Sequence, residues 1–153
     1  MVIQTDDQSL MSLRSTFRDY WDRQRKTMPN TLNLIGAKGV EFTNYYASNP
    51  LCSPSRAALL TGQYAHTSNM KRNSGPEGGW EGWQIQPIFS ENLAVALSRS
   101  GYRTAHIGKI TNGYFGADPD TVDTTVPPGW DHWFVPAYGD KLYYYGTRLN
   151  VDG

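Results

Sequence analysis

The sequence predicts an α/β fold, in which helices and strands alternate along the chain. Some segments place apolar residues at helical spacing, whereas others alternate apolar and polar residues as a half-buried strand does. Glycine and proline, 15 and 9 residues respectively, indicate many loops. The length of 153 residues suits one average domain or a part of a larger one. Alternation of the two element types favours helices packed on a sheet.

The first part of the chain is predicted to contain two strands and two helices. Residues 2–5 form a short apolar run that indicates a strand. Residues 10–26 carry apolar side chains at helical spacing, and residues 31–37 follow a Met-Pro-Asn break, so both segments predict helices. Residues 40–46 alternate in period two and are rich in β-formers, which indicates a second strand.

A helix is predicted to begin near Pro54 and to stop at Gly62. Ser53 is the expected N-cap, because its hydroxyl can accept a hydrogen bond from the first helical turn. Proline suits the first helical position and glycine the residue after the last. The following residues 63–88 are rich in Gly, Pro, Ser and Asn and are predicted to be a loop.

The last part of the chain is predicted to continue the alternation. A helix capped by Ser90 is expected to run to about residue 98, and a strand to occupy residues 102–107. Residues 112–130 are expected to be a loop, residues 142–149 a strand, and residues 150–153 its turn. The chain is therefore expected to be a piece of a larger α/β domain, truncated at both ends.

Composition excludes several classes of protein. Acidic and basic side chains balance at 14 each, so a strongly basic nucleic-acid binder is not expected. No apolar run is long enough for a transmembrane helix, and the N-terminus lacks the pattern of a signal peptide. The single cysteine, Cys52, excludes an internal disulfide.

Cys52 is either an inert buried thiol or a reactive group, and its neighbours favour the second interpretation. It stands directly before the predicted helix, where unpaired N–H groups and the helix dipole favour anions. Arg56 lies about one turn further on and could fold back to the same point. The pattern indicates a reactive side chain beside a bound oxyanion.

The run from residue 49 to residue 62, Asn-Pro-Leu-Cys-Ser-Pro-Ser-Arg-Ala-Ala-Leu-Leu-Thr-Gly, closely resembles the signature of the type I sulfatases. In that family the cysteine of Cys-x-Pro-Ser-Arg is converted to formylglycine, an aldehyde whose hydrate attacks the sulfate sulfur. The resemblance implies the same modification of Cys52, carried out by a formylglycine-generating enzyme. It also implies an alkaline-phosphatase-like domain, with a mixed, mostly parallel central sheet flanked by helices.

Asp6 and Asp7 follow the first predicted strand, at the edge of the sheet where α/β proteins place their sites. Adjacent carboxylates repel each other unless a cation neutralises them, and oxygen ligands suit Ca²⁺ or Mg²⁺. A solvated loop is the alternative interpretation of these two residues alone. Residues 2–8 resemble the first strand of sulfatases, which implies a metal site formed by Asp6 and Asp7 with the modified Cys52.

Lys109 ends a Gly-Tyr-Arg-Thr-Ala-His-Ile-Gly-Lys segment that resembles the Gly-Lys motif of sulfatases. Its charge could bind a sulfate oxygen or the leaving oxygen, although a surface lysine is the default for an isolated residue. Many family members carry His two residues later, where this chain has Thr111. This departure puts in doubt the imidazole that usually contacts the formylglycine.

The segment after Lys109 resembles the branch of N-acetylglucosamine-6-sulfatases and extracellular heparan 6-O-endosulfatases, as do residues 127–133 and 144–147. Asn112 matches an Asn of that branch, and His66 stands where the branch often has His. Both are therefore candidate substrate-binding residues, together with Lys109. Four tryptophans, Trp80, Trp83, Trp130 and Trp133, could stack on a sugar, but core packing is the favoured interpretation for them.

The resemblance implies a sulfuric ester hydrolase that acts on a glucosamine-6-sulfate type of sugar. Cys52, Arg56 and Lys109 are the expected catalytic residues, and Ca²⁺, or Mg²⁺, is the expected metal. Family members act in the periplasm, in lysosomes or outside the cell. Two alternatives are an inactive fragment that lacks later metal ligands and a phosphoryl-transfer relative from the same superfamily. The Cys-x-Pro-Ser-Arg form favours a sulfatase over enzymes with a Ser or Thr nucleophile.

Overall fold

The computed structural model describes residues 1–114, 123–136 and 148–153. It divides into two compact units, Met1–Tyr46 and Ala47–Gly153, which we call the first unit and the second unit. Helices in the described residues are short, and none is long and apolar enough to cross a membrane.

The first unit contains one short helix, α1 (Leu10–Arg14), and an antiparallel hairpin of β1 (Thr16–Arg18) and β2 (Gln24–Lys26). A π-helical turn, Thr31–Ile35, then leads into a 3₁₀ turn, Gly36–Lys38. These two turns confirm helical structure in the segment where the sequence predicted it.

The helix predicted over residues 10–26 is wrong beyond Arg14, because local turn chemistry replaces it with the hairpin. The Oδ1 atom of Asp19 accepts hydrogen bonds from the backbone N–H groups of Trp21 and Arg23, each at 3.0 Å. Asp22 adopts the left-handed backbone conformation with a φ of 58°. An aspartate side chain can accept hydrogen bonds from backbone N–H groups that would otherwise bond within a helix. Asp19 does so here, and the chain turns instead of continuing as a helix.

The strands predicted at residues 2–5 and 40–46 are also wrong, since both segments are exposed and lack strand pairing. A strand forms only where another strand supplies its hydrogen-bond partners. Among the described residues of the first unit, only β1 and β2 pair with each other.

The second unit contains four helices in its described residues: α2 (Cys52–Thr61), α3 (Ala65–Ser68), α4 (Gly79–Ile85) and α5 (Leu93–Arg99). The helix predicted from Pro54 is confirmed as α2, and Gly62 ends it in the left-handed conformation with a φ of 68°. The loop predicted over residues 63–88 is wrong, because it contains α3, α4 and the start of a 3₁₀ turn, Pro87–Phe89.

Neither predicted helix cap is observed. Leu51 occupies the cap position of α2, which places Ser53 inside the first turn. Asn92 rather than Ser90 caps α5, and its side-chain oxygen accepts hydrogen bonds from the N–H groups of Ala94 and Val95 at 2.9 and 3.3 Å. Both helices therefore begin within three residues of the predicted position but with different caps.

The described strands of the second unit form a mixed sheet in the order β3 (Ala105–Ile107), β4 (His132–Pro136), β5 (Leu149–Val151). β3 pairs parallel to β4, and β4 pairs antiparallel to β5. Together with the helices, this sheet confirms the α/β class.

β3 confirms the end of the strand predicted at residues 102–107, and β4 was not predicted. The strand predicted at residues 142–149 lies mostly outside the described residues. The turn predicted at 150–153 is wrong at its start, because β5 continues through Val151.

Aromatic side chains form the centre of the second unit's core. Trp83 and Trp133 are fully buried, and Trp80 and Tyr114 are nearly so. The ring of Tyr114 meets Trp80 edge to face at 4.5 Å and Trp133 at 5.5 Å between ring centroids. The core packing expected for these tryptophans is therefore observed, and it fixes the sheet against α2 and α4. Its other buried members are Ala57, Met70, Ile88, Ile110 and Val135.

Candidate active site

The N-terminus of α2 is the first part of the candidate site. Cys52 is the first residue of this ten-residue helix and is half-buried. The backbone N–H of the next residue, Ser53, donates to the side-chain oxygen of Asn73 at 3.0 Å. Cys52 therefore lies at the positive end of the helix dipole, a position that favours a bound anion.

The buried hydroxyl of Ser53 connects α2 to the segment that follows β3. Its oxygen lies 2.7 Å from the hydroxyl of Thr111 and donates to the side-chain oxygen of Asn112 at 3.1 Å. The backbone N–H of Asn112 points back to the same hydroxyl at 3.4 Å. Ser53 therefore holds in place two residues that follow Lys109 closely in the chain.

Arg56 makes the second connection between these segments. Its guanidinium is buried, with the whole residue only 7% exposed, and its Nη1 donates to the backbone carbonyl of Lys109. An arginine stays charged even when buried, so a fixed positive charge lies beside the chain segment that carries Lys109. We call the contacts of Ser53 and Arg56 with residues 109–112 the α2 clasp.

The α2 clasp gathers four of the residues that the sequence analysis selected: Cys52, Arg56, Lys109 and Asn112. They lie on two segments that are more than 50 residues apart in the sequence and joined by hydrogen bonds. His66 lies on α3 and is exposed, with its ring stacked on Tyr64 at 5.8 Å. Among the described contacts, none joins His66 to the clasp.

Asp6 and Asp7 belong to the first unit and are exposed. Their carboxylates have the hard oxygen chemistry that suits Ca²⁺ or Mg²⁺. In the described parts of the chain, however, no cluster of three His, Cys, Asp or Glu side chains could hold a metal ion. These two residues therefore fit a metal by chemistry but offer only part of a coordination shell.

Three residues of the site were missed or assigned another use by sequence reasoning. Ser53 was expected to cap its helix, whereas it forms the centre of the clasp. Asn73 gave no signal beyond its place in a loop, 20 residues from its partner. Thr111 was noted only as a departure from the family pattern, yet it is buried, and its hydroxyl binds Ser53.

His106 lies on β3 close to the clasp and packs against two tryptophans. Its ring centroid is 5.2 Å from that of Trp130 and 5.1 Å from that of Trp133. Burial lowers the pKa of His106, and although the backbone of Lys109 opposes this shift, the charge of Arg56 adds to it. The imidazole is therefore neutral near pH 7, consistent with its packing against the two tryptophans.

Comparison with known proteins identifies the family. The Sulfatase family model matches residues 2–144. An extracellular sulfatase SULF-1 homolog of Drosophila melanogaster is 36% identical over 127 residues, covering 80% of this chain and 10% of the relative. The N-acetylglucosamine-6-sulfatase of Homo sapiens is 35% identical over 125 residues, covering 80% of this chain and 22% of the relative.

An arylsulfatase of Chlamydomonas reinhardtii is 36% identical over 153 residues, which is 100% of this chain and 22% of the relative. The chain thus spans only 10% to 22% of the length of these three relatives. No solved structure matches the chain significantly. The match over residues 2–144, which includes both segments of the α2 clasp, shows that this chain belongs to the sulfatase family.

Proposed function

We propose that the protein carrying this chain hydrolyses sulfate esters at a site built around the α2 clasp. The observation that carries the proposal is the clasp itself, which joins the helix that begins with Cys52 to the segment of Lys109 and Asn112. The clasp thereby brings the chain segment of Lys109 next to the helix that carries Cys52 and Arg56. Such an arrangement suits an ester whose transition state spreads negative charge over sulfate oxygens.

Arg56 and Lys109 have separate tasks in this proposal. Arg56 is buried and hydrogen-bonded, so its charge is held in place before substrate arrives and needs little reorganisation. Lys109 is half-buried, and its flexible ammonium supplies a point charge to a sulfate oxygen or to the leaving oxygen. Asn112 is positioned by Ser53 and is a candidate to bind the sugar.

Cys52 is proposed as the precursor of formylglycine, formed by a maturation enzyme. That group supplies a hydrated aldehyde, one hydroxyl of which is a nucleophile toward sulfur. The role of the chain is to hold this side chain at the first position of α2. There the positive end of the helix dipole and the charge of Arg56 favour the negative charge that develops.

Asp6 and Asp7 are proposed as ligands of a divalent cation, Ca²⁺ or Mg²⁺. Such a cation would neutralise their mutual repulsion and polarise a sulfate oxygen. Support comes from the donor chemistry and from membership of the family. The remaining ligands would have to come from beyond these two side chains.

The proposed substrate is a sugar sulfated in the manner of glucosamine 6-sulfate. The human relative is named for N-acetylglucosamine-6-sulfate chemistry, and the Drosophila relative is named an extracellular sulfatase. We accordingly propose action outside the cytoplasm and keep His66 as a candidate pocket residue. Its exposed ring stacked on Tyr64 could contact a sugar without being part of the clasp.

Replacing Cys52 tests the proposal in the complete protein. We expect Cys52→Ala to abolish release of sulfate from 4-methylumbelliferyl sulfate and from N-acetylglucosamine 6-sulfate while leaving the unfolding midpoint nearly unchanged. Leu59→Ala is the matched control, because Leu59 is on the same helix and 41% exposed. Normal sulfatase activity in Cys52→Ala would refute the assignment. A wild type that hydrolyses only the corresponding phosphate would favour phosphoryl transfer instead.

Mass spectrometry of the peptide that contains Cys52 tests the modification separately. Conversion to the aldehyde replaces sulfur by the lighter oxygen and removes hydrogen, so the matured peptide must weigh less than the encoded one. An active enzyme whose peptide keeps the full encoded mass would contradict the formylglycine proposal.

A further inference from the structure

The hairpin of β1 and β2, with the turn between them, concentrates positive charge in a chain that is neutral overall. Residues 16–26 contain four Arg and Lys side chains and two Asp, whereas the whole chain has 14 of each sign. Three of the four are arginines, whose planar guanidinium can bind two oxygens of a sulfate at once. Clustering of this kind on one small element marks a surface for anions.

The two acidic residues of the hairpin are engaged with the hairpin itself. Asp19 binds two backbone N–H groups through one oxygen, and through the other it accepts hydrogen bonds from Arg23 and Arg25 at 2.9 and 3.0 Å. Burial alone would raise the pKa of Asp19, but these hydrogen bonds lower it, so the carboxylate stays ionised.

Exposure separates Asp19 from the two arginines that it binds, whereas Asp22 is 83% exposed and pairs with Arg18 at 3.0 Å. The side chain of Asp19 is only 15% exposed, whereas those of Arg23 and Arg25 are 54% and 49% exposed. The carboxylate therefore anchors the turn from within, and the guanidinium groups form the outer surface.

Two aromatic rings stand beside these cations on the same turn. Tyr20 is 93% exposed and Trp21 is 69% exposed, an unusual position for such large rings. They meet edge to face with centroids 5.7 Å apart, and the guanidinium carbon of Arg23 lies 4.7 Å from the centroid of the Trp21 ring. An exposed ring face flanked by a fixed cation offers both a stacking surface and a charge.

We propose that this hairpin is a binding site for sulfated polysaccharide. A sulfated sugar combines an apolar C–H face, which stacks on an indole, with anionic groups that pair with guanidinium and ammonium. The site is carried by residues of the first unit and does not depend on the chemistry of Cys52. A single edge-to-face pair offers one ring face, unlike the series of parallel faces on which successive nucleic-acid bases stack.

Binding to heparin oligosaccharide tests this site in the complete protein, with Trp21→Ala as the first variant. The Trp21 side chain takes no part in the hydrogen bonds that form the turn, so the hairpin should persist. We expect the Kd for heparin to rise by about 2- to 10-fold, the range of an aromatic contact. Tyr45→Ala is the matched control, because Tyr45 is 80% exposed in the same unit but lies outside the hairpin.

Lys26→Gln is the second variant, and Lys38→Gln is its control for the loss of one charge. Both lysines are exposed and in the first unit, but only Lys26 lies on the hairpin. We expect Lys26→Gln to weaken heparin binding and to reduce the slope of log Kd against log salt, because one fewer counterion is released. Turnover of 4-methylumbelliferyl sulfate should stay unchanged in both hairpin variants, which separates this site from the proposed catalytic one.

Three results would overturn the proposal. The first is an equal change in Kd for each variant and its control. The second is equally tight binding of desulfated heparin, which would remove the role of sulfate. The third is a single-stranded DNA oligonucleotide that binds as tightly as heparin and responds in the same way to Trp21→Ala.

Discussion

The two units of the chain differ in the interactions that give them their local structure. None of the residues in the first unit is buried, and its hairpin is held by hydrogen bonds between residues two to twelve positions apart. The second unit contains the whole buried aromatic core and a clasp between residues more than 50 positions apart. Local polar chemistry thus shapes the first unit, and long-range packing shapes the second.

The largest effect expected from this contrast is on stability. Trp133 is fully buried and donates from its Nε1 to the hydroxyl of Tyr114 at 2.8 Å, so Trp133→Ala should cost about 3–5 kcal/mol. Leu34→Ala in the first unit should stay within about 0.5 kcal/mol, because Leu34 is 61% exposed. Urea unfolding of both variants of the complete protein measures the difference. A comparable loss of unfolding free energy in Leu34→Ala would contradict the difference between the two units.

A smaller effect is expected from the centre of the α2 clasp. Ser53→Ala leaves the buried hydroxyl of Thr111 without its partner and should cost about 1–3 kcal/mol in urea unfolding. The double variant Ser53→Ala with Thr111→Val should cost less than the two single changes added together, since neither hydroxyl is then stranded.

Ser12→Ala is the control for this change in the first unit. Its exposed hydroxyl donates to the backbone oxygen of Ser9 at 2.8 Å, and its loss should change stability by no more than about 0.5 kcal/mol. Simple additivity of Ser53→Ala and Thr111→Val would mean that the clasp hydroxyls act independently.

The smallest effect expected is a pH dependence from His106. Because burial lowers its pKa in the folded state, the unfolded chain binds the proton more readily. The stability linked to the neutral imidazole is present above the unfolded pKa of about 6.5 and is lost as pH falls toward the lower folded value. His106→Phe should therefore flatten the fall in melting temperature between about pH 6.5 and pH 5.

His66→Gln is the matched control for this measurement, since His66 is exposed in the same unit. It should retain the wild-type profile. The same flattening in His66→Gln, or an unchanged slope in His106→Phe, would contradict the link between burial and proton uptake.

These contrasts explain how much of the fold the sequence could predict. The α2 helix was predicted closely because Pro54 and Gly62 are local signals of its start and end. The hairpin was missed because the apolar spacing of residues 10–26 fits a helix. In the structure, the hydrogen bonds that the Asp19 side chain accepts stabilise a turn instead. β4 was missed because it follows a Pro-Pro-Gly break and exists through pairing with β3 and β5.

In the candidate site too, local motifs were predictable from the sequence, whereas contacts between distant residues were not. Cys52, Arg56 and Lys109 could be selected because each stands in a short motif with a plausible chemistry. The hydrogen bond from Arg56 to the carbonyl of Lys109 joins residues 53 positions apart, and no local pattern encodes it. The replacement of His by Thr111 was visible in the sequence, but its use as a partner of Ser53 required the fold.

The burial of the first turn of α2 determines whether modification of Cys52 can follow folding or must precede it. Cys52 is half-buried, whereas Ser53, Pro54 and Arg56, which follow it in the helix, are buried. A maturation enzyme that binds the side chains after Cys52 cannot contact them once the helix has packed into the folded protein. If Cys52 is the precursor of formylglycine, as proposed, the aldehyde is installed on the unfolded chain. The folding rate then sets the time during which the maturation enzyme can bind this segment.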